Sequence, residues 1–259
     1  MPILVFYKIQ TEYQLVSVLE AEGVADISSH PQGQYALFDA RFPNQVDLFV
    51  KYGADVNSNA IEHSTPLLNC FSYLHCYLES VTILVHAGAN IESTDDEGNT
   101  ALLLACEIEM VEIVRFLLEA GADISHVNNN GNTCLMKASR KDFREGMLKL
   151  LLESGSDIEA RDVNGNTALF YAALNGSFDS ILTLLEAGAN IHLVDNVKST
   201  PLILHWRLRS KPCKKITELL VKAGCDINAR DNSGKTALCY CVERRGRFSE
   251  YIAFLTNCV

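Results

Sequence analysis

Nine cysteines, seven histidines and an excess of carboxylates are the first places to look for chemistry in this 259-residue chain. Cys70, His75 and Cys76 come nearest to a metal cluster. Zinc sites, however, use Cys-x-x-Cys or His-x3-His spacings, and neither is present, so the residues predict no metal and no cofactor. A Cys–His nucleophile pair is assembled by the fold rather than by spacing and stays open on spacing alone. Gly-rich phosphate loops, Gly-x-Ser-x-Gly and His-Glu-x-x-His are all missing. Asp95, Asp96, Glu97, Asp162, Asp195 and Asp231 sit in turn-like sequence, where a short carboxylate caps its own backbone; Asp96 and Glu97 also crowd one tip and are candidates for a basic partner. Arg207, Arg209, Lys211, Lys214 and Lys215 form a basic run, with Arg244, Arg245 and Arg247 at the equivalent place further on. Such a stripe has the chemistry to bind a polyanion, either nucleic acid or anionic lipid headgroups.

What positions these groups is a repeat. A Thr-x-Leu triplet begins at Thr65, Thr100, Thr133, Thr167, Thr200 and Thr236, and a Gly-(Ala/Ser/Cys)-(Asp/Asn)-(Ile/Val) motif begins at Gly53, Gly88, Gly121, Gly155, Gly188 and Gly224. Each Gly precedes the next Thr by 12 residues, whereas the stretch from Thr to the following Gly varies from 21 to 24. The constant part contains DDEGNT, NNNGNT and DVNGNT, sequences that favour turns with positive φ. The variable part starts at a good N-cap and continues into apolar residues at helical spacing, such as Val111, Val114, Leu117 and Leu118, before Gly121 supplies a helix stop. One unit is therefore a turn followed by two helices, and length variation is confined to the helix–loop–helix segment.

A β-turn and two antiparallel helices in about 33 residues resemble the ankyrin repeat. NTALLLACEIEMVEIVRFLLEAGADI, from Asn99, and NTALFYAALNGSFDSILTLLEAGANI, from Asn166, match that family pattern best, and the resemblance extends over residues 31 to 259. It implies an all-α solenoid of six to seven helix-turn-helix units joined by β-turn or hairpin loops, forming one domain. A helical cap is expected over 1–30, six repeats over 31–228 and a C-terminal capping repeat over 229–259. The chain departs from the family where a His is usual in Thr-Pro-Leu-His, placing Leu68, Leu103, Met136, Phe170, Ile203 and Cys239 there instead. That substitution shifts cohesion between repeats toward apolar packing. Two turn glycines are also replaced, by His63 and Lys198.

Because repeats tile nearly the whole chain, no segment is left for a catalytic domain, and the resemblance implies a non-enzymatic module that binds another protein. Partners of such solenoids engage turn tips and exposed first-helix positions along a concave face. Mapped here, these are Tyr73, Asp96, Glu97, Leu104, Ile108, Lys137, Lys141, Tyr171, Leu174, Arg207, Leu208, Tyr240 and Arg244. An adaptor, scaffold or competitive inhibitor is the first expectation, a polyanion-binding stripe the second, and an effector acting in a host-cell cytosol the third, since effectors of intracellular bacteria resemble short divergent chains of this kind. A net charge of −10 disfavours nucleic acid overall, although residues 131–259 carry 18 Lys/Arg against 14 Asp/Glu. Unpaired cysteine spacing and the lack of any leader or roughly 20-residue apolar span predict a cytoplasmic, reducing location and a monomer without a membrane span. His205 and Trp206 replace the small pair Ala172 and Ala173 of the preceding repeat, and a three-residue extension follows them. The extension predicts that Trp206 fills space it opens.

Overall fold

The computed structural model describes residues 37, 38, 40, 42–59, 64–72, 76–141, 146–209, 213–243 and 255. Among them are twelve α-helices: α1 Pro43–Lys51, α2 Pro66–Asn69, α3 Leu78–His86, α4 Ala101–Glu107, α5 Val111–Glu119, α6 Cys134–Ala138, α7 Met147–Glu153, α8 Ala168–Asn175, α9 Phe178–Glu186, α10 Pro201–Leu208, α11 Lys214–Lys222 and α12 Ala237–Glu243. The cap expected over 1–30 lies outside the described residues. Two compact units divide the chain, Met1–Leu104 with Glu119–Ala122 and Ala105–Leu118 with Asp123–Val259.

Local chemistry repeats from unit to unit. The threonine hydroxyls accept the backbone N–H three residues on at Leu68, Leu103, Met136, Ile203 and Cys239, 3.2–3.4 Å away, which caps five first helices. Thr167 alone makes no such cap. Second helices end at glycines with φ near +90°, where the next residue donates back five positions, as from Ala89 to Leu84 and from Ala189 to Leu184, both 2.9 Å. Between them the turn aspartates do backbone work. Asp162 Oδ1 accepts from Asn164 and Asn166 at 2.9 and 2.7 Å, and Asp195 and Asp231 repeat the pattern.

In the first unit α1 packs against α3, with Val46 and Phe49 buried on α1 and Val81 and Leu84 buried on α3. Its turns are tied by Asn57, whose amide donates to the Gly88 carbonyl at 3.0 Å and accepts from the Asn90 N–H at 2.7 Å. In the second unit first helices stack in the order α6, α8, α10 and α12, and second helices α7, α9 and α11 stack in parallel. Consecutive turns are joined by backbone bonds from Val163 to Asn130, Asn196 to Asn164, and Asn232 to Val197, at 2.9–3.1 Å. Gly165 serves this close approach: a Cβ there would fall 2.6 Å from Asn196 Oδ1 and 3.0 Å from its backbone nitrogen.

The extension lies where the spacing places it. Five residues join α10 to α11, whereas two join α8 to α9. Trp206 is fully buried, in agreement with its reading as a space-filling residue, and Phe71 is buried as well.

Candidate functional site

Side chains on the turns and first helices of the second unit divide into an inward network and an outward row. The inward network begins at Glu107, which receives Lys137 Nζ at 2.8 Å and lies 3.9 Å from Arg140. Arg140 sits over the Tyr171 ring, 4.6 Å from its centroid, and Tyr171 donates its hydroxyl to Asp162 Oδ2 at 2.6 Å. Burial first, then the Asp162 carboxylate, push the Tyr171 phenol up to about 12.

The same arrangement recurs two repeats later. Arg207 donates to Ser199 Oγ at 2.7 Å and lies 3.7 Å from Asp195 and 4.0 Å from Asp231, while Tyr240 donates to Asp231 Oδ2 at 2.5 Å. Burial acts to raise the Asp231 carboxyl, but the Tyr240 hydroxyl, the Lys235 and Ser233 amides and the Arg207 charge outweigh it and hold the group below its usual range. Lys235 in turn reaches Glu243 at 2.6 Å.

Arg140 and Arg207 each lie seven residues after their repeat's threonine, and Tyr171 and Tyr240 four after theirs. In this alternating Arg/Tyr register the tyrosines and Arg207 reach turn carboxylates while Arg140 meets Glu107 and the Tyr171 ring, and it links neighbouring repeats where the usual histidine is lost. Leu68, Leu103, Met136, Phe170 and Ile203, at the lost histidine's position, are buried as that loss requires, whereas Cys239 is only partly covered. The network escapes a reading by composition; the spacing of Arg, Tyr and Asp relative to each threonine is the signal that reveals it.

The outward row comes from the position eight residues after each threonine. Ile108, Lys141, Asn175 and Leu208 occupy it in four successive repeats, and all are exposed, Leu208 at 55%. Lys141 leans on Glu109 at 3.2 Å. Turn tips add Val163 and Val197, 59% and 41% exposed.

Other predicted site residues distribute as follows. Lys137 differs from the expectation of exposure: only 5% of it is exposed, because Glu107 draws its ammonium along the helix surface. Leu104 and Leu174 are half-buried, while Asp96 and Glu97 are exposed on the first unit's last turn. In the basic stripe, Arg207 is drawn inward, Arg209 covers the face of Gly176, Lys214 lies 3.9 Å from Glu218 and Lys215 is exposed. Tyr73, His75, Lys211, Arg244, Arg245 and Arg247 lie outside the described residues.

Three of the thiols, Cys70, Cys76 and Cys106, are poor nucleophiles. Burial pushes Cys70 and Cys76 up to about 12, so both are protonated at neutral pH. Cys106 is raised well above the ordinary value by its hydrogen bond with Cys134 and by burial. Cys239 moves the other way, lowered by hydrogen bonds from Thr236. Among the described residues no three His, Cys, Asp or Glu side chains gather as metal ligands.

A family model for ankyrin repeats in three copies matches residues 34–128, 68–162, 126–195 and 169–258. The chain belongs to the ankyrin-repeat family. No curated protein matches it. Ankyrin repeats generally mediate protein–protein interaction and are typically non-catalytic. In this ankyrin chain no helix among the described residues is long and apolar enough to cross a membrane.

Proposed function

We propose that this ankyrin-repeat chain is a non-catalytic interaction module, an adaptor, scaffold or competitive inhibitor. It docks another protein on the turn tips and first helices of its second unit. The observation that carries this reading is the division of labour on that face. Its ionic side chains are largely committed to one another, whereas Ile108, Leu208, Val163 and Val197 project apolar surface outward. Exposed apolar groups on such a face are what a protein partner can bury. A reducing compartment suits the buried Cys106–Cys134 thiol pair.

The polyanion reading rests on Lys214 and Lys215, the exposed members of the described stripe. Arg207 weighs against it, since two carboxylates and a hydroxyl already hold the guanidinium. Affinity purification with the intact chain separates the readings. A partner retained by the wild type and by Lys214→Glu/Lys215→Glu, but lost with Ile108→Asp/Leu208→Asp, is the expected result. Loss with the lysine reversal and retention with the aspartates would replace the apolar face by the basic stripe.

A further inference from the structure

His205 is the one buried histidine among the described residues, and both of its ring nitrogens are committed. Nδ1 lies 2.8 Å from the Ala173 carbonyl oxygen, and Nε2 accepts the Cys213 N–H at 2.9 Å. A backbone amide can only donate, so Nε2 carries no proton and Nδ1 must carry one to donate to Ala173. The imidazole is therefore neutral, with its tautomer set by its neighbours.

What that ring holds is the start of a helix. Cys213 is the N-cap of α11 and makes no side-chain capping bond, and the first two helical residues are Lys214 and Lys215. Cations at a helix N-terminus oppose the macrodipole, so this helix begins against local electrostatics and is secured from inside by His205.

We infer that His205 is a proton-operated latch on the N-cap of α11: protonation at Nε2 sets two N–H groups against each other, expels the Cys213 amide and releases the first turn of α11. The surroundings oppose imidazolium. Among the described residues of α10 and the helices packed against it, α8 carries only Tyr171 as a titratable group and α10 itself adds Arg207, followed by Arg209. From α11 come Lys214, Lys215, Glu218 and Lys222, and from α12 Cys239, Tyr240, Cys241 and Glu243. Among these described helix residues cations outnumber carboxylates, and both carboxylates are engaged elsewhere, Glu218 near Lys214 at 3.9 Å and Glu243 with Lys235 at 2.6 Å. The unfolded chain takes up the proton near pH 6.5, whereas the latched form cannot without breaking a bond. Latching is therefore complete above that pH and is lost as pH falls. The ratio of latched to unlatched chains drops by up to about tenfold for each pH unit.

Trp206, the only tryptophan in the chain, reports the event, because its buried ring stands edge-on to His205 with centroids 6.3 Å apart. With the full-length chain taken from pH 8 to pH 5, Trp206 emission is expected to shift to the red along a one-proton curve centred below about pH 6.5. His205→Gln can accept from Cys213 and donate to Ala173 but binds no proton, so it should flatten the curve. His192→Gln, on an exposed turn, should leave it in place. A flat wild-type curve, or one that survives in His205→Gln, overturns the latch. Should His205→Gln fail to fold, exchange of the wild-type Cys213 amide decides. Protection that falls with pH below about 6.5, after correction for intrinsic exchange, supports the latch. Protection constant from pH 7.5 to 5.5 overturns it.

Discussion

Arg207 shows how a single side chain changes meaning between sequence and structure. In sequence it opens a basic run; in space it neutralises Asp195 and Asp231 from adjacent repeats. Arg207→Met keeps the length of the side chain and leaves two nearly buried carboxylates facing each other, so a loss on the order of 2 kcal/mol in chemical denaturation is expected. Tyr171→Phe removes one hydroxyl bond to Asp162, whose other oxygen keeps its backbone partners, and should cost about 1 kcal/mol. That difference has a pH signature. The folded phenol ionises at about 12, above the usual value near 10, so its contribution is complete below pH 10 and is lost as pH rises toward 12. Melting temperatures of wild type and Tyr171→Phe should therefore converge over that range. A constant gap would show that the hydroxyl bond is not the cause.

Turns and helix ends obey rules written in the local sequence. The turn that has Lys198 where its relatives have glycine adopts the same backbone, φ +59°, and the lysine bears a left-handed conformation that glycine accepts without strain. Lys198→Gly should stabilise the chain by about 0.5–1 kcal/mol, a few degrees in a thermal melt, because the relieved strain exceeds the entropy glycine adds to the unfolded chain. Gly176 illustrates the reverse. It ends α8 at φ +74°, and a Cβ there would lie 1.7 Å from Arg209 Nη1. Gly176→Ala should lower the melting temperature and displace Arg209, measurable as a loss of about 1–2 kcal/mol. The Lys198 position was legible from the repeat register. That Arg209 lies over Gly176 was not, since the two are brought together across the α8–α10 contact.

At the scale of the molecule, a solenoid gains its stability from neighbouring repeats rather than from one central core, and its specificity from whatever those repeats leave outward. If the exposed apolar side chains recognise the partner, binding should weaken only slightly between about 50 and 200 mM salt. A phosphate-reading stripe would lose orders of magnitude over that interval. Titration calorimetry with the purified partner at the two salt concentrations distinguishes them.

The sequence by itself determined the repeat length, the threonine caps, the glycine stops, the aspartate turns and the place of the three-residue extension. Each depends on residues a few positions apart, whose backbone preferences act locally. Tertiary structure alone decided that Lys137 is buried, that Arg207 bridges two turns and that His205 closes on Cys213. Those outcomes depend on which side chain of the next repeat stands opposite. A charge or a ring nitrogen takes its role from the partner that stacking brings within about 3–4 Å.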